Sequence, residues 1–180
     1  MEFNRQPTLQ DTRVILRPLT AADFEALYAV ASDPAVWEQH PNKERWQEPV
    51  FQRFFEGAMD SEGAFLILDA QTGAVLGSTR YYEYDEKDSS VFMGYTFFGT
   101  NTWGTGINKA VKTLLLNYAF QYVSQVYFHI GSTNFRSQKA IAKFHAQKIG
   151  EEEIAYVGEA SRLNFKYSIK KEDWLKSQQD

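Results

Sequence analysis

The sequence predicts a mixed α/β (α+β) protein, with a mostly antiparallel central sheet and helices on both faces. Three observations carry that prediction. Apolar stretches of strand length follow one another in the middle of the chain, separated by polar turn clusters. Two segments with apolar residues at helical spacing precede them. A glycine-containing loop then opens a long amphipathic helix, followed by a strand and a further helix.

Each element has its own local reason. Arg13-Val14-Ile15-Leu16-Arg17 alternates and stops at Pro18, as an opening strand would. Thr20, with Asp23 three residues on, is a capping box for a helix whose face carries Phe24, Leu27, Tyr28 and Ala31, and which ends before Asp33-Pro34. A loop from Trp37 to Trp46 follows, then a helix from about Pro49 to Met59 with Phe51, Phe54 and Phe55 clustered on it. Ala64–Asp69, Val75–Tyr84 and Val91–Phe98 read as an antiparallel meander, turning at Gln71-Thr72-Gly73 and at Asp85-Glu86-Lys87-Asp88. The loop Asn101-Thr102-Trp103-Gly104-Thr105-Gly106 opens a helix to about Tyr122, with Ile107, Val111, Leu114, Leu115 and Tyr118 as its buried stripe. Val126–Ile130 is a strand, expected parallel to the one before the loop because a helix crosses between them. A helix from Asn134 to about Ala146 and an antiparallel pair, Ile154–Val157 with Leu163–Ile169, complete the chain.

Composition narrows the function. The 180 residues suit one domain, and 43% hydrophobic with 16% aromatic residues supply a substantial core. There is no cysteine, which excludes disulfides, thiolate nucleophiles and cysteine metal sites, and the three histidines have no metal-ligand spacing, so no metal is expected. The absence of a long apolar run or an apolar leader makes a cytoplasmic protein without membrane attachment the expectation. A net charge of −4 argues against a nucleic-acid binder. That charge is unevenly spread. From Ser89 to Gly150 there is no Asp or Glu, yet Lys109, Lys112, Arg136, Lys139, Lys143 and Lys148 all lie there. An acid-free basic segment inside an acidic chain points to one anion site. The loop before Ile107 is the natural place for it. The free N–H groups of a first helical turn point outward, the helix dipole is positive there, and Gly104 and Gly106 let a phosphate approach the backbone.

With these residues in view, the chain resembles the GNAT acyltransferase superfamily along nearly its whole length. Asn101-x-x-Gly104-x-Gly106 is similar to the family's Gln/Arg-x-x-Gly-x-Gly/Ala loop, departing at its first position. Leu9-x-x-x-Arg13-Val14-x-Leu16-Arg17-Pro18-Leu19 looks like the opening strand, and Gly77–Tyr81 with Met93–Thr96 like the central hairpin. Gly104–Phe120 looks like the cofactor helix, and Asn134-x-Arg136-Ser137-Gln138 like the start of the next. Within the superfamily the chain is similar to the branch of ribosomal-protein N-terminal acetyltransferases. Ala110 stands where that branch usually has Glu, and His145 where it has glycine.

The resemblance implies acetyl-CoA as acyl donor and direct attack of an amine on the thioester. It implies CoA contacts at Phe97, Asn101, Trp103, Gly104, Thr105, Gly106, Ile107, Asn108, Lys109, Asn134, Ser137 and Lys143, and a bulged strand around Tyr95–Phe98 that offers a backbone N–H to the thioester oxygen. Asn134 also reads as a helix N-cap. Ser137 is the candidate proton donor to the leaving thiolate, or a packing hydroxyl. The carboxylate that many members carry beside the acetyl group has no counterpart between Ser89 and Gly150, so Glu83 is the candidate base, with Glu159, Tyr95 and ordered water as alternatives. Trp37, His40 and Glu44, on the loop over the cleft, are the expected substrate contacts. The expected acceptor is a primary amine, most plausibly a peptide or protein N-terminus. A small-molecule amine such as a polyamine or amino acid is the alternative, and a non-catalytic acyl-CoA-binding module the alternative of another class. A monomer or a homodimer fits equally.

Overall fold

Strand-length apolar runs and helical apolar stripes become eight strands and five helices over the residues that the computed structural model describes, 2–156 and 158–179. In chain order these are β1 (Leu9–Gln10), β2 (Val14–Pro18), α1 (Phe24–Ala31), α2 (Glu48–Asp60), β3 (Ala64–Asp69), β4 (Val75–Asp85), β5 (Ser90–Phe98), α3 (Ile107–Ala119), β6 (Gln125–Gly131), α4 (Phe135–Ala142), β7 (Gln147–Ile154), β8 (Arg162–Lys170) and α5 (Lys171–Ser177). They form one sheet in the order β1-β2-β3-β4-β5-β6-β8-β7. Every neighbouring pair is antiparallel except β5–β6, the pair bridged by the α3 crossover, as its long connection requires.

Each face of the sheet has its own core. On one, Val14, Leu16, Phe65, Ile67, Val91 and Met93 pack against Val111, Leu115, Leu116 and Ala119 of α3, with Ile141 and Phe144 around α4 and Trp174 of α5. The buried Tyr81 joins strand to helix by donating its hydroxyl to the Leu115 carbonyl at 2.5 Å. On the other face Leu27 and Ala31 of α1 and Phe51, Phe55 and Ala58 of α2 cover Leu66 and Phe97. Asp23 anchors the start of α1 from a 3₁₀ turn. It accepts from the Thr20 N–H at 2.8 Å and from both terminal nitrogens of Arg17, at 2.9 and 2.7 Å. Those Arg17 bonds hold the carboxyl down to about 2.

Three boundaries differ from expectation, the first being the end of α3, at Ala119 and not about Tyr122. The helix from Asn134 ends at Ala142, not Ala146, and the strand expected at Ile154–Val157 runs instead over Gln147–Ile154, Val157 itself lying outside the described residues. Gln147-Lys148-Ile149-Gly150-Glu151-Glu152-Glu153-Ile154 lacks clean alternation because β7 is an edge strand, where charge blocks unwanted strand pairing. The early helix end follows from His145, which has φ +60 and turns the chain directly into β7. A left-handed residue at this place is normally glycine. His145→Gly therefore removes side-chain strain and is expected to raise unfolding stability by about 1 kcal/mol, read by chemical denaturation.

Candidate active site

The functional geometry begins with an irregularity in β5. Ser78 of β4 pairs with Phe97, but Arg80 pairs with Gly94, so two residues of β5, Tyr95 and Thr96, stand opposite the single Thr79. Tyr95 takes φ +51 there. The extra residue reverses the facing of the strand: Val91 and Met93 lie in the α3 core, and Phe97 lies in the α1–α2 core. It also ends the contact with β6. The two strands pair only from Ser90–Phe92 to Gln125–Tyr127, while β6 stays paired with β8 through Gly131. A cavity of about 1180 Å³ opens between the parted strands, lined by Met93–Phe98 on one side and Phe128–Gly131 on the other. That exceeds the usual span of about 300–1,000 Å³ for a single small ligand. Residues of both sheet faces reach it, Ile141 and Phe144 from one and Arg45, Tyr82, Tyr95 and Tyr156 from the other.

One end is built for an anion. Gly104 and Gly106 have φ +73 and +85, and Gly106 caps α3 in the left-handed conformation. A Cβ on Gly104 would meet nothing within 4 Å, so the loop is open on that side, whereas one on Gly106 would meet an Arg13 nitrogen at 2.8 Å. Arg13 also holds the loop by donating to the Thr105 carbonyl at 2.5 Å. Among the described residues no Asp or Glu lines the cavity, while Lys109, Lys112, Arg136, Lys139, Lys143 and Arg45 do. Lys112 is buried, its ammonium donates to Asn108 Oδ1 at 3.0 Å, and burial pulls it down to about 8. Arg136 lies 3.9 Å over the Trp103 ring, and its backbone N–H donates to Gln39 Oε1 at 3.0 Å, tying α4 to the loop after α1. Asn134 caps α4 through its side chain, which accepts from the Ser137 N–H at 3.1 Å. These features fit a phosphate-bearing ligand whose apolar arm runs between Met93, Phe128, Ile130, Ile141 and Phe144.

The other end is aromatic and ordered by buried charge. Arg45 makes two bonds to Glu159, at 3.1 and 3.2 Å, with only 4% and 10% of the two side chains exposed. Arg80 has the Tyr95 ring 3.6 Å away and donates to the Gly57 carbonyl at 2.7 Å. Burial together with the guanidinium groups of Arg45 and Arg136 pushes His40 down to about 3, so it is neutral at pH 7. Tyr82 Oη lies 3.3 Å from His129 Nδ1, and His129 Nε2 lies 2.7 Å from Glu152 Oε2.

Of the residues singled out in the sequence, the fold brings Tyr95, Phe97, Trp103, Gly104, Gly106, Asn108, Lys109, Asn134, Ser137, Lys143 and His40 to the cavity wall. Asn101, Thr105 and Ile107 do not line it: Asn101 and Thr105 point elsewhere in the loop, and Ile107 is packed in the α3 core. Trp37 is fully buried, with its indole N–H donating to the Ala31 carbonyl at 2.7 Å. It therefore has no surface to offer a substrate and instead backs His40, 4.9 Å away between ring centres. Glu44 is outside the cavity, bonded to Gln47. Glu83 is exposed on the β4–β5 hairpin at φ +47, away from the cavity. Glu159 is held by Arg45. Sequence reasoning passed over Tyr82 and His129 because their meeting, across 47 positions, exists only once β4 and β6 flank β5.

Comparison with known proteins agrees with this geometry. The GNAT acetyltransferase domain matches residues 13–147, three quarters of the chain. A solved structure described as an acetyltransferase is 25% identical, with a TM-score of 0.80 over 96% of this chain and 90% of that one. The fold is shared by the spermidine N-acetyltransferase of Vibrio cholerae, solved with CoA and spermine (15% identity, TM-score 0.69, 92% and 99% covered). It is also shared by a protein of the same organism described as a ribosomal-protein-serine acetyltransferase (16%, 0.72, 93% and 99%). With a parted β5–β6 pair, a glycine loop capping α3 and a domain match over most of its length, the chain belongs to the GNAT acetyltransferase family, enzymes that draw their acetyl group from acetyl-CoA.

Proposed function

We propose that this enzyme acetylates the N-terminus of a peptide or protein, the amine entering from the α1–α2 face and acetyl-CoA from the α3–α4 face. The observation that carries the acceptor class is the cavity wall without a carboxylate. A polyamine brings several ammonium groups into the cleft and needs acidic partners for them, whereas a peptide N-terminus brings one amine followed by neutral amides. The resemblance to the ribosomal-protein branch points the same way.

Acetyl-CoA, when bound, supplies an activated acyl group in its thioester. The chain's own residues do the rest. The first-turn N–H groups at Asn108 and Lys109 with the ammonium groups of Lys109, Lys112 and Lys143 hold the phosphates, and Asn134 fixes the edge of the cleft. The bulge at Tyr95–Thr96 takes backbone N–H groups of β5 out of the regular ladder and leaves them for the acyl oxygen as negative charge develops on it. Ser137, on the wall at the first turn of α4, is placed to return a proton to the leaving sulfur. Most of the acceleration comes from holding both reactants in one cavity, which needs no covalent step on the protein.

The acceptor is tested by thiol release from acetyl-CoA with peptides beginning Ser, Ala or Met, with spermine, and with free amino acids. Turnover with peptides and background rates with spermine are expected; turnover with spermine or free amino acids alone overturns the acceptor assignment. Gly104→Val places a β-branched residue at φ +73 and a side chain in the open space beside the loop. Calorimetric CoA affinity is expected to fall at least about tenfold, roughly 1.4 kcal/mol, with the fold retained. Lys112 loses its charge as pH rises through about 8, so its attraction for phosphate is present at pH 7 and fades above that value. CoA affinity is expected to weaken between pH 7 and 9.5, and Lys112→Met to flatten that dependence.

A further inference from the structure

We propose that Tyr82, His129 and Glu152 form a proton relay that deprotonates the acceptor amine, supplying the base that β5 lacks. The inference rests on the transferase reading above and names the group that completes it. The three side chains come from β4, β6 and β7 and make one continuous chain, Tyr82 Oη to His129 Nδ1 at 3.3 Å and His129 Nε2 to Glu152 Oε2 at 2.7 Å. Its inner end opens on the cavity, since Tyr82 and His129 both line it. Its outer end reaches solvent, because the Glu152 side chain is 43% exposed while that of His129 is 7% exposed.

The position is the one the chemistry needs. Tyr82 lies over the strand beside the bulge, where a Cβ on Gly94 would sit 3.5 Å from its hydroxyl. A side chain on β5 at that point would fill this space; glycine there leaves it to the tyrosine of the neighbouring strand. The ring is held by Phe92 and Tyr95, at 5.2 and 5.0 Å between centres, and His129 stacks on Phe92 at 4.4 Å. A phenol has one hydrogen to give and a carboxylate has none, so the tautomer that joins all three accepts at His129 Nδ1 and donates from Nε2. The ionisable groups facing the imidazole are Tyr82 from β4, Glu152 from β7 and Lys166 of β8, whose ammonium is 3.8 Å from Glu152 Oε1. Burial raises Tyr82 far above the ordinary phenol range, so it passes a proton on without standing as a phenolate.

In the step itself the acceptor ammonium gives one proton to Tyr82 Oη as Tyr82 gives its own to His129 Nδ1. The imidazolium so formed is paired with Glu152, and the nitrogen lone pair is freed to attack. The second nitrogen proton goes to Ser137 as Ser137 gives its own to the departing sulfur, so charge and atoms balance. Tyr82 touches the substrate; His129 and Glu152 act through it.

The test uses the full-length enzyme, acetyl-CoA and the acceptor panel above. Tyr82→Phe keeps the ring packing and is expected to lower kcat about 100-fold with unchanged CoA affinity, the scale of a lost acid–base group. Glu152→Gln is expected to lower kcat about tenfold, as loss of a supporting partner does. His129→Ala should fall with Tyr82→Phe and recover with added imidazole. Rates within threefold of the parent in all three variants, or equal losses of CoA affinity with no imidazole rescue, overturn the relay while leaving the transferase assignment intact. A parent enzyme that releases no thiol with any acceptor overturns that assignment, and the relay with it.

Discussion

The structure turns on one interruption in strand pairing. Two residues, Tyr95 and Thr96, stand where one would keep the β4–β5 ladder regular, and the ladder between β5 and β6 stops just before them, at Phe92 and Tyr127. A continuous sheet at this point would be a wall between two cores. Parting the strands makes a passage joined to both faces, so that two reactants can approach one atom from opposite sides. The cost is a group of backbone polar atoms without sheet partners, which a site binding a developing anion can use. The halves remain aligned because each keeps its own ladder, β5 with β4 and β6 with β8.

Charge is arranged in layers around that passage. The wall carries lysines and arginines and, among the described residues, no carboxylate. The acids stand one layer back: Glu159 holds Arg45, and Glu152 holds His129. Each therefore orients a wall residue without presenting negative charge to the phosphates of the donor. The buried Arg45–Glu159 pair is better understood as positioning than as stabilisation, since desolvation offsets most of the attraction of a buried ion pair.

Aromatic packing gives these groups their fixed places. Phe54, Tyr95 and Tyr156 surround the Arg45 and Arg80 guanidinium groups, and Trp37, fully buried, supports the loop that brings His40 to the cavity. The high aromatic content read from composition is thus divided between two ordinary cores and a lining that holds cations without neutralising them.

Much of this was legible in the sequence because it depends on local periodicity. The meander, the α3 crossover with its parallel strand, and the Thr20–Asp23 capping box that leads into α1 follow from alternation, helical spacing and turn residues within a few positions of each other. The anion loop was legible too, since glycines before an amphipathic helix and a long acid-free segment are properties of a continuous stretch. Edge strand β7 was not, because its glutamates answer to the sheet edge and not to a buried face. Nor were the side chains that meet across strands. Glu83 and Glu44 are acids close in sequence to the right elements, yet the hairpin and the loop carry them outside the cavity. Tyr82, His129 and Glu152 have no local signature and become a unit only through strand order and the register of four ladders. Periodicity and composition determine which elements form and where an anion can bind; which side chains share a proton is decided by the tertiary arrangement, because hydrogen bonds form between neighbours in space.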